Sequence, residues 1–264
     1  VISSGKEQNE GVFARLLLLF FIPIQARKGI SSMPAAFSWL VDQFTKTFLT
    51  EQRYMLFLIG LRNTLIITFF AVILGIVLGF TMAYIRTTYD RTGKLKFLNI
   101  VAKVYLTVIR GTPTMVQLLI MNFLILASTR NKLLVACLTF GINSGAYVAE
   151  IFRSGIMSID PGQMEAARSL GLSYQQATWK VILPQAVKNV LPALGNEMIV
   201  LLKETSISGY VAIQDLTKAA DIVRSRTYSP LFPLISLAAM YLVMVMFLEK
   251  LISKMEARLA QSDR

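Results

Sequence analysis

Long apolar blocks, separated by short basic or polar stretches, organise this chain. A helix needs about 20 mostly apolar residues to cross the hydrocarbon layer. Thr64–Ile85 (TLIITFFAVILGIVLGFTMAYI) is uncharged and long enough. Leu133–Phe152 is another block, with one acid, Glu150, near its end; Leu231–Leu248 carries no charge. Met115–Ala127 is short, and the apolar stretch upstream from Phe97 is expected to lengthen it. Ala186–Leu202 is long enough but holds Lys188, Asn189, Asn196 and Glu197. Such a helix has to turn part of its surface toward protein or a water-filled path. The expected fold is an all-α, polytopic membrane helix bundle of about five transmembrane helices, within residues 56–255.

Upstream the pattern changes. Leu16–Ile24 (LLLLFFIPI) is apolar but too short to span, and it follows Arg15 as a signal-peptide core would, with no small-residue cleavage pattern after it. Residues 1–35 are left as an N-terminal segment without a defined fold. Phe37, Leu40, Val41, Phe44 and Phe48 then recur at helical spacing, with Asp42 and Lys46 opposite. This spacing predicts an amphipathic helix over 36–55, lying on the membrane surface or packed on the bundle edge.

The stretch between the third and fourth blocks, Ser158–Pro184, is rich in helix punctuation. Asp160 then Pro161 is a start signal: an N-cap oxygen followed by proline in the first turn. Gln163 stands where a capping box takes Glu or Gln. Gly171 can adopt the left-handed conformation that stops a helix. Ser173 with Gln176 repeats the start signal, and Pro184 lies where the second helix should end or kink. Two short helices bent at Gly171 are expected, on the cytoplasmic side. The small residues Ala166 and Ala167 would let another backbone approach closely. Two roles stay open on these grounds: a docking element for a cytosolic partner, or a structured loop capping its own bundle.

Composition agrees with a membrane protein. Hydrophobic residues make up 55% of the chain and charged residues 16%, against about 45–50% and about 25% in soluble domains. The net charge of +12 in so apolar a chain marks basic loops on the cytoplasmic face rather than a nucleic-acid partner. Arg86–Lys96 has four basic residues and one acid, and four more basic residues follow Leu248. Placing both inside puts the N-terminus outside and the 256–264 tail in the cytoplasm. The outer connection with Lys203, Lys218, Arg224 and Arg226 weighs against this assignment. With no histidine and only Cys137, His-based acid–base chemistry and thiolate metal clusters are excluded; no catalytic or metal site is expected.

Glu165-Ala166-Ala167, then Gly171, then Leu183-Pro184 resembles the EAA loop of ATP-binding-cassette (ABC) importer permeases. Val181 stands where that pattern has isoleucine. Arg110-Gly-Thr-Pro113 with Gln117, Asn143–Arg153, and Leu191–Glu197 leading to Lys203–Ser206 resemble the polar amino-acid branch of the family. The resemblance covers about residues 56–255. It implies five-helix subunits that pair as homo- or heterodimers in the bacterial cytoplasmic membrane. Two cytosolic ATPases would drive each pair, and an extracellular binding protein would deliver the amino acid. It further implies that Asp160, Pro161, Glu165, Ala166, Ala167, Gly171, Leu183 and Pro184 couple to the ATPase. The chain has no G-x-x-x-x-G-K-[ST] phosphate loop; its Gly-Lys pairs, Gly5-Lys6 and Gly93-Lys94, lack the other residues. ATP and Mg are therefore expected on the partner, with no cofactor on this chain.

Asn143, Ser144, Glu150, Asn196 and Glu197 are candidates for the substrate path, because a zwitterion needs an acceptor for its ammonium and donors for its carboxylate. The competing role is polar contact between helices. Gly141, Gly145, Gly155 and Gly195 are expected to permit close packing, and Trp39 and Trp179 to lie near interfaces. Two other classes compete. A membrane enzyme lacks an evident reactive set. A channel could use the polar fourth block but leaves the bent pair unexplained. A permease for another small polar solute would share the EAA loop.

Overall fold

With no water in the hydrocarbon layer, a spanning backbone has to satisfy its own hydrogen bonds. Accordingly, all regular structure among the described residues, 35–261, is helical in the computed structural model. Leu16–Ile24 and the last three residues of the tail lie outside them. The chain divides into two compact units between Lys46 and Thr47.

In the first unit, α1 (Ala35–Phe44) exposes Phe37, Trp39 and Leu40, and Asp42 pairs with Lys46 at 2.6 Å. The single helix expected over 36–55 is broken. A π-turn follows (Thr45–Leu49), then a 3₁₀ turn (Thr50–Gln52) in which Glu51 and Gln52 both have φ of 53°. Two successive left-handed residues cannot continue a right-handed helix.

The second unit begins with α2 (Tyr54–Thr92), 39 residues long. At about 1.5 Å per residue it is nearly twice the hydrocarbon thickness, so its ends project beyond it. The loop expected over Arg86–Lys96 is thus mostly helix. Nothing breaks α2 before Gly93, which takes φ +66° and donates its N–H to Tyr89 O.

The second span is not a straight helix lengthened from Phe97. α3 (Lys96–Gly111) and α4 (Thr114–Ile120, continued by a π-turn Met121–Ile125) meet at 109°. Pro113 forces extended backbone on Thr112 (φ −121°, ψ 145°) and offers no amide to continue α3. Gln117 Nε2 braces the bend by reaching Ile109 O (2.7 Å), Thr112 O (3.1 Å) and Thr112 Oγ1 (2.9 Å).

α5 (Lys132–Met157) is the central helix: 67% of its apolar window is buried, against 28% for α2. Its start is capped by Asn131, whose side chain accepts from Leu134 N. Small residues bring α2 and α5 close. A methyl group at Gly79 would meet the Val148 side chain at 2.5 Å and Ala149 N at 2.8 Å; one at Gly141 would meet Leu74. Packing of this kind replaces the hydrophobic effect between helices in lipid. Gly145, Gly155 and Gly195 likewise abut Tyr105, Val190 and Ile252.

Two short helices follow, α6 (Pro161–Ser169) and α7 (Tyr174–Ala177), then a π-turn (Thr178–Ile182) and α8 (Leu183–Glu204). A 3₁₀ turn (Thr205–Val211) leads to α9 (Leu216–Thr227) and α10 (Leu231–Gln261). α10 runs unbroken past residue 255, so no boundary separates the expected tail. Leu118, Phe140, Leu201 and Val211 join Ile67 and Ala136 in one core cluster. By length and apolarity α2, α5 and α10 qualify as spans, and the bent α3–α4 pair adds a fourth if counted as one. α8 has the length, at 22 residues, but too many polar groups.

Asp215 fastens the connection between α8 and α10. It is fully buried, caps α9 by accepting from Lys218 N (2.9 Å) and Thr217 N (3.3 Å), and is followed by Leu216, whose N–H donates to Thr64 Oγ1 on α2. Burial pushes its carboxyl up to about 6, against the opposing pull of those N–H donors.

Candidate functional site

Asp160 starts α6 as its sequence demands: its side chain accepts from Gly162 N at 2.7 Å. The reciprocal capping bond is absent. Gln163 sends its side-chain oxygen instead to Gln185 Nε2 on α8, at 3.4 Å. Gly171 has φ +85°, and the amides of Gly171 and Leu172 close back on Arg168 O and Ala167 O. Two peptide carbonyls are thereby satisfied where α6 stops. Ser173 and Gln176 form a full capping box, with bonds of 3.2 and 2.8 Å.

Two expectations about this pair need refinement. Of the two outcomes expected at Pro184, an end or a kink, the helix does not end: α7 passes through the π-turn into α8, and Pro184 lies in the first turn of α8. The π-turn precedes the proline that lacks an amide, a usual place for a helix to change register. Secondly, the two alanines are not equivalent. Ala166 is exposed and Ala167 is buried, so only Ala166 is open to a partner's backbone. Glu165, Leu170 and Pro184 are exposed, and Leu183 is half-buried. Behind the pair, between it and α2 and α5, lies a mostly apolar cavity of about 330 Å³ lined by Phe80, Tyr84, Phe152, Tyr174 and Trp179.

The polar residues of α5 and α8 separate into two groups. Asn143 and Ser144 are both buried. Ser144 Oγ donates to Glu197 Oε1 at 2.9 Å, joining α5 to α8; Asn143 Nδ2 donates to Gln117 Oε1 at 3.0 Å, joining α5 to the bend. Asn143 Oδ1 is buried without a hydrogen-bond partner. Asn196 is exposed and stands outside this node. Glu150 also stands apart, held by Arg153 Nε (3.1 Å) and facing Arg110 (3.7 Å).

Sequence reasoning singled out Arg110, Arg153 and the basic stretch from Arg86 but did not bring them together around Glu150. Arg86, Lys103, Arg110 and Tyr147 line a cavity of about 590 Å³ where α2, α3 and α5 meet. The Arg110 guanidinium lies 5.9 Å from the Tyr147 ring centre. Lys103 and Arg110, seven apart on α3 and so on one face, were the available signal. Gln117 was noticed as part of a motif, but its place as brace and as partner of Asn143 depends on the bend.

Residues 75–261 match the family described as binding-protein-dependent transport system inner membrane component. A putative glutamine transport system permease protein of Rickettsia conorii is 35% identical over 224 residues, covering 83% of this chain and 97% of the relative. An arginine transport system permease protein of Bacillus subtilis is 36% identical over 207 residues, 77% of this chain and 92% of the relative. A crystal structure of an amino acid ABC transporter with histidines superposes with a TM-score of 0.73 at 44% identity, covering 80% of this chain and 98% of that one.

Proposed function

The chain belongs to the binding-protein-dependent transport system inner membrane components, and we propose from that membership how its two sites work together. It is a permease subunit of an ATP-driven importer for polar amino acids, a multi-pass protein of the inner membrane and not itself an enzyme. ATP hydrolysis belongs to a separate subunit, and a second permease completes the membrane part. ATP and Mg bind on the ATPase. An extracellular binding protein delivers the solute, and lipid surrounds the bundle. Counting α8 as a span makes five, with the N-terminus outside and α6 and α7 in the cytoplasm.

The observation that carries this mechanism is helical continuity. From Tyr174 to Glu204 the chain stays helical through the π-turn, so α7 and Glu197 belong to one strut, to which α6 is joined by the Gly171 turn. Asp160 and Pro161 start α6, and Gly171 sets its angle to α7. Glu165 and Ala166 form the exposed docking surface, while Ala167 packs inward. Leu183 and Pro184 join the pair to α8. When the ATPase subunits close, the pair moves as a unit, and the cavity behind it leaves room for that movement. Displacement of α8 loads the Ser144–Glu197 bond, and the node of Asn143, Ser144 and Glu197 opens or closes the solute path. Glu150 and Asn196 line that path on either side of the node.

The test is reconstitution of the permease pair with its ATPase in lipid vesicles. Gly171→Val puts a β-branched residue at φ +85° and changes the angle. Uptake and solute-stimulated ATP hydrolysis should both fall while the ATPase alone still turns over. Normal uptake by this variant, or assembly that ignores disulfide trapping of the ATPase at residues 160–184, would defeat the proposal.

A further inference from the structure

The cavity between α2, α3 and α5 has a charge imbalance that the coupling mechanism leaves unused. Arg86, Lys103 and Arg110 line it, and Arg153 stands at its edge through Glu150, the acid these arginines share. The acceptor supply is short. Arg153 already holds Glu150 closely, so Arg110 meets that carboxylate only at 3.7 Å and rests otherwise on the Tyr147 ring. Arg86 Nε is buried with no hydrogen-bond partner. A guanidinium has five donors and no acceptor. Two of them, with an ammonium beside them, outnumber the acids near the cavity, Glu150 and, toward Arg153, Asp90.

The cavity also adjoins the solute path proposed above. Asn143, Tyr147 and Glu150 follow one another at helical spacing on α5, so the face that carries the buried node continues into the cavity. At about 590 Å³ it is within the size range of small-molecule sites. We infer that this cavity is a holding station for the carboxylate of the transported amino acid. Its positive lining rejects solutes with a cationic side chain and favours neutral or acidic ones. Arg110, open to the cavity, grips the carboxylate through paired N–H donors; Arg86 and Lys103 supply the surrounding field. This inference rests on the transport reading above and adds a substrate class to it.

The experiment uses the permease pair with its ATPase, purified without a binding protein into phosphatidylcholine nanodiscs. Radiolabelled L-glutamine, L-glutamate and L-arginine serve as probes. Glutamine and glutamate should bind, with arginine about tenfold weaker or worse. Arg110→Gln should weaken glutamine binding at least about tenfold, through loss of the paired charge-assisted hydrogen bonds, while Arg110→Lys keeps part of it. Should Arg110→Gln fail to assemble on gel filtration, Lys103→Gln takes its place, with a larger loss for glutamate than for glutamine. Arginine binding as tight as glutamine, or variants that leave all probes unchanged, overturns the inference. So does competition by added phosphatidylglycerol that displaces glutamine, which would make the cavity a lipid-phosphate site. Uptake of amino acids in vesicles alongside any of these results leaves the transport reading standing. No uptake of any amino acid removes both.

Discussion

Ser144 and Glu197 are 53 residues apart in sequence, on different helices, and meet at 2.9 Å. A carboxylate in a bundle interior depends on such a donor, because leaving it unmet costs about 1–3 kcal/mol. Ser144→Ala should therefore lower the thermal midpoint of the purified protein, and should cost less when Glu197 is already Gln. Equal losses in both backgrounds would mean that the pair is not coupled. Asp215 gives a separate, titratable prediction. Its folded-state pKa of about 6 is above the ordinary aspartate value of about 3.9. The fold therefore favours the protonated form. Its contribution to stability is full below the ordinary value and is lost as pH rises through about 6. Asp215→Asn keeps the capping oxygen and should flatten the dependence of the thermal midpoint between pH 4 and pH 7. Parallel profiles for the two proteins would refute the assignment.

Two glycines show how differently the helices depend on small residues. Gly79 lets α2 lie against α5, and an added methyl group meets a side chain and a backbone amide at under van der Waals distance. Gly171 has nothing within 4 Å of such a methyl group and is constrained only by φ +85°. Gly79→Ala should cost about 1–3 kcal/mol through overpacking and show as a clear drop in the thermal midpoint. Gly171→Ala, a strained turn on an exposed surface, should move the midpoint less and should lower the ATP-driven uptake rate more. Reversal of that order would undo the assignment of packing to one and coupling to the other. The amphipathic α1 and the long α2 show the limit of reading elements from periodicity. Apolar spacing pointed to helix in both, but the π-turn after Phe44, the positive-φ pair Glu51–Gln52 and the absence of any breaker before Gly93 decided where the helices stop and start.

Across the molecule, burial grades from α5 at 67% to α10 at 6% of the apolar window. A peripheral helix of that kind faces lipid or a second permease. A cysteine at Val243, on α10, should resist a water-soluble maleimide in intact vesicles. A cysteine at Tyr228, 94% exposed after α9, and one at Leu170, 84% exposed between α6 and α7, should react from opposite sides. Labelling of both from one side would break the five-span arrangement.

Local physics was readable along the chain: apolar blocks, cap residues, the Gly171 stop and the EAA-type spacing each depend on neighbours within a few positions. Most of the helix geometry over residues 160–184 was legible for that reason, as were the polar positions Asn143, Ser144 and Glu197 on otherwise apolar helices. Their pairing was not. Whether Glu197 meets Ser144 while Asn196, one residue away, stays exposed depends on the rotation of α8 against α5. The basic cavity needs three helices at once: the turn at Gly93 that ends α2 lets α3 fold back and bring Lys103 and Arg110 to the cavity that Arg86 lines. Periodicity tells which face of a helix is apolar, but only the packing of helices on one another says what its polar face meets.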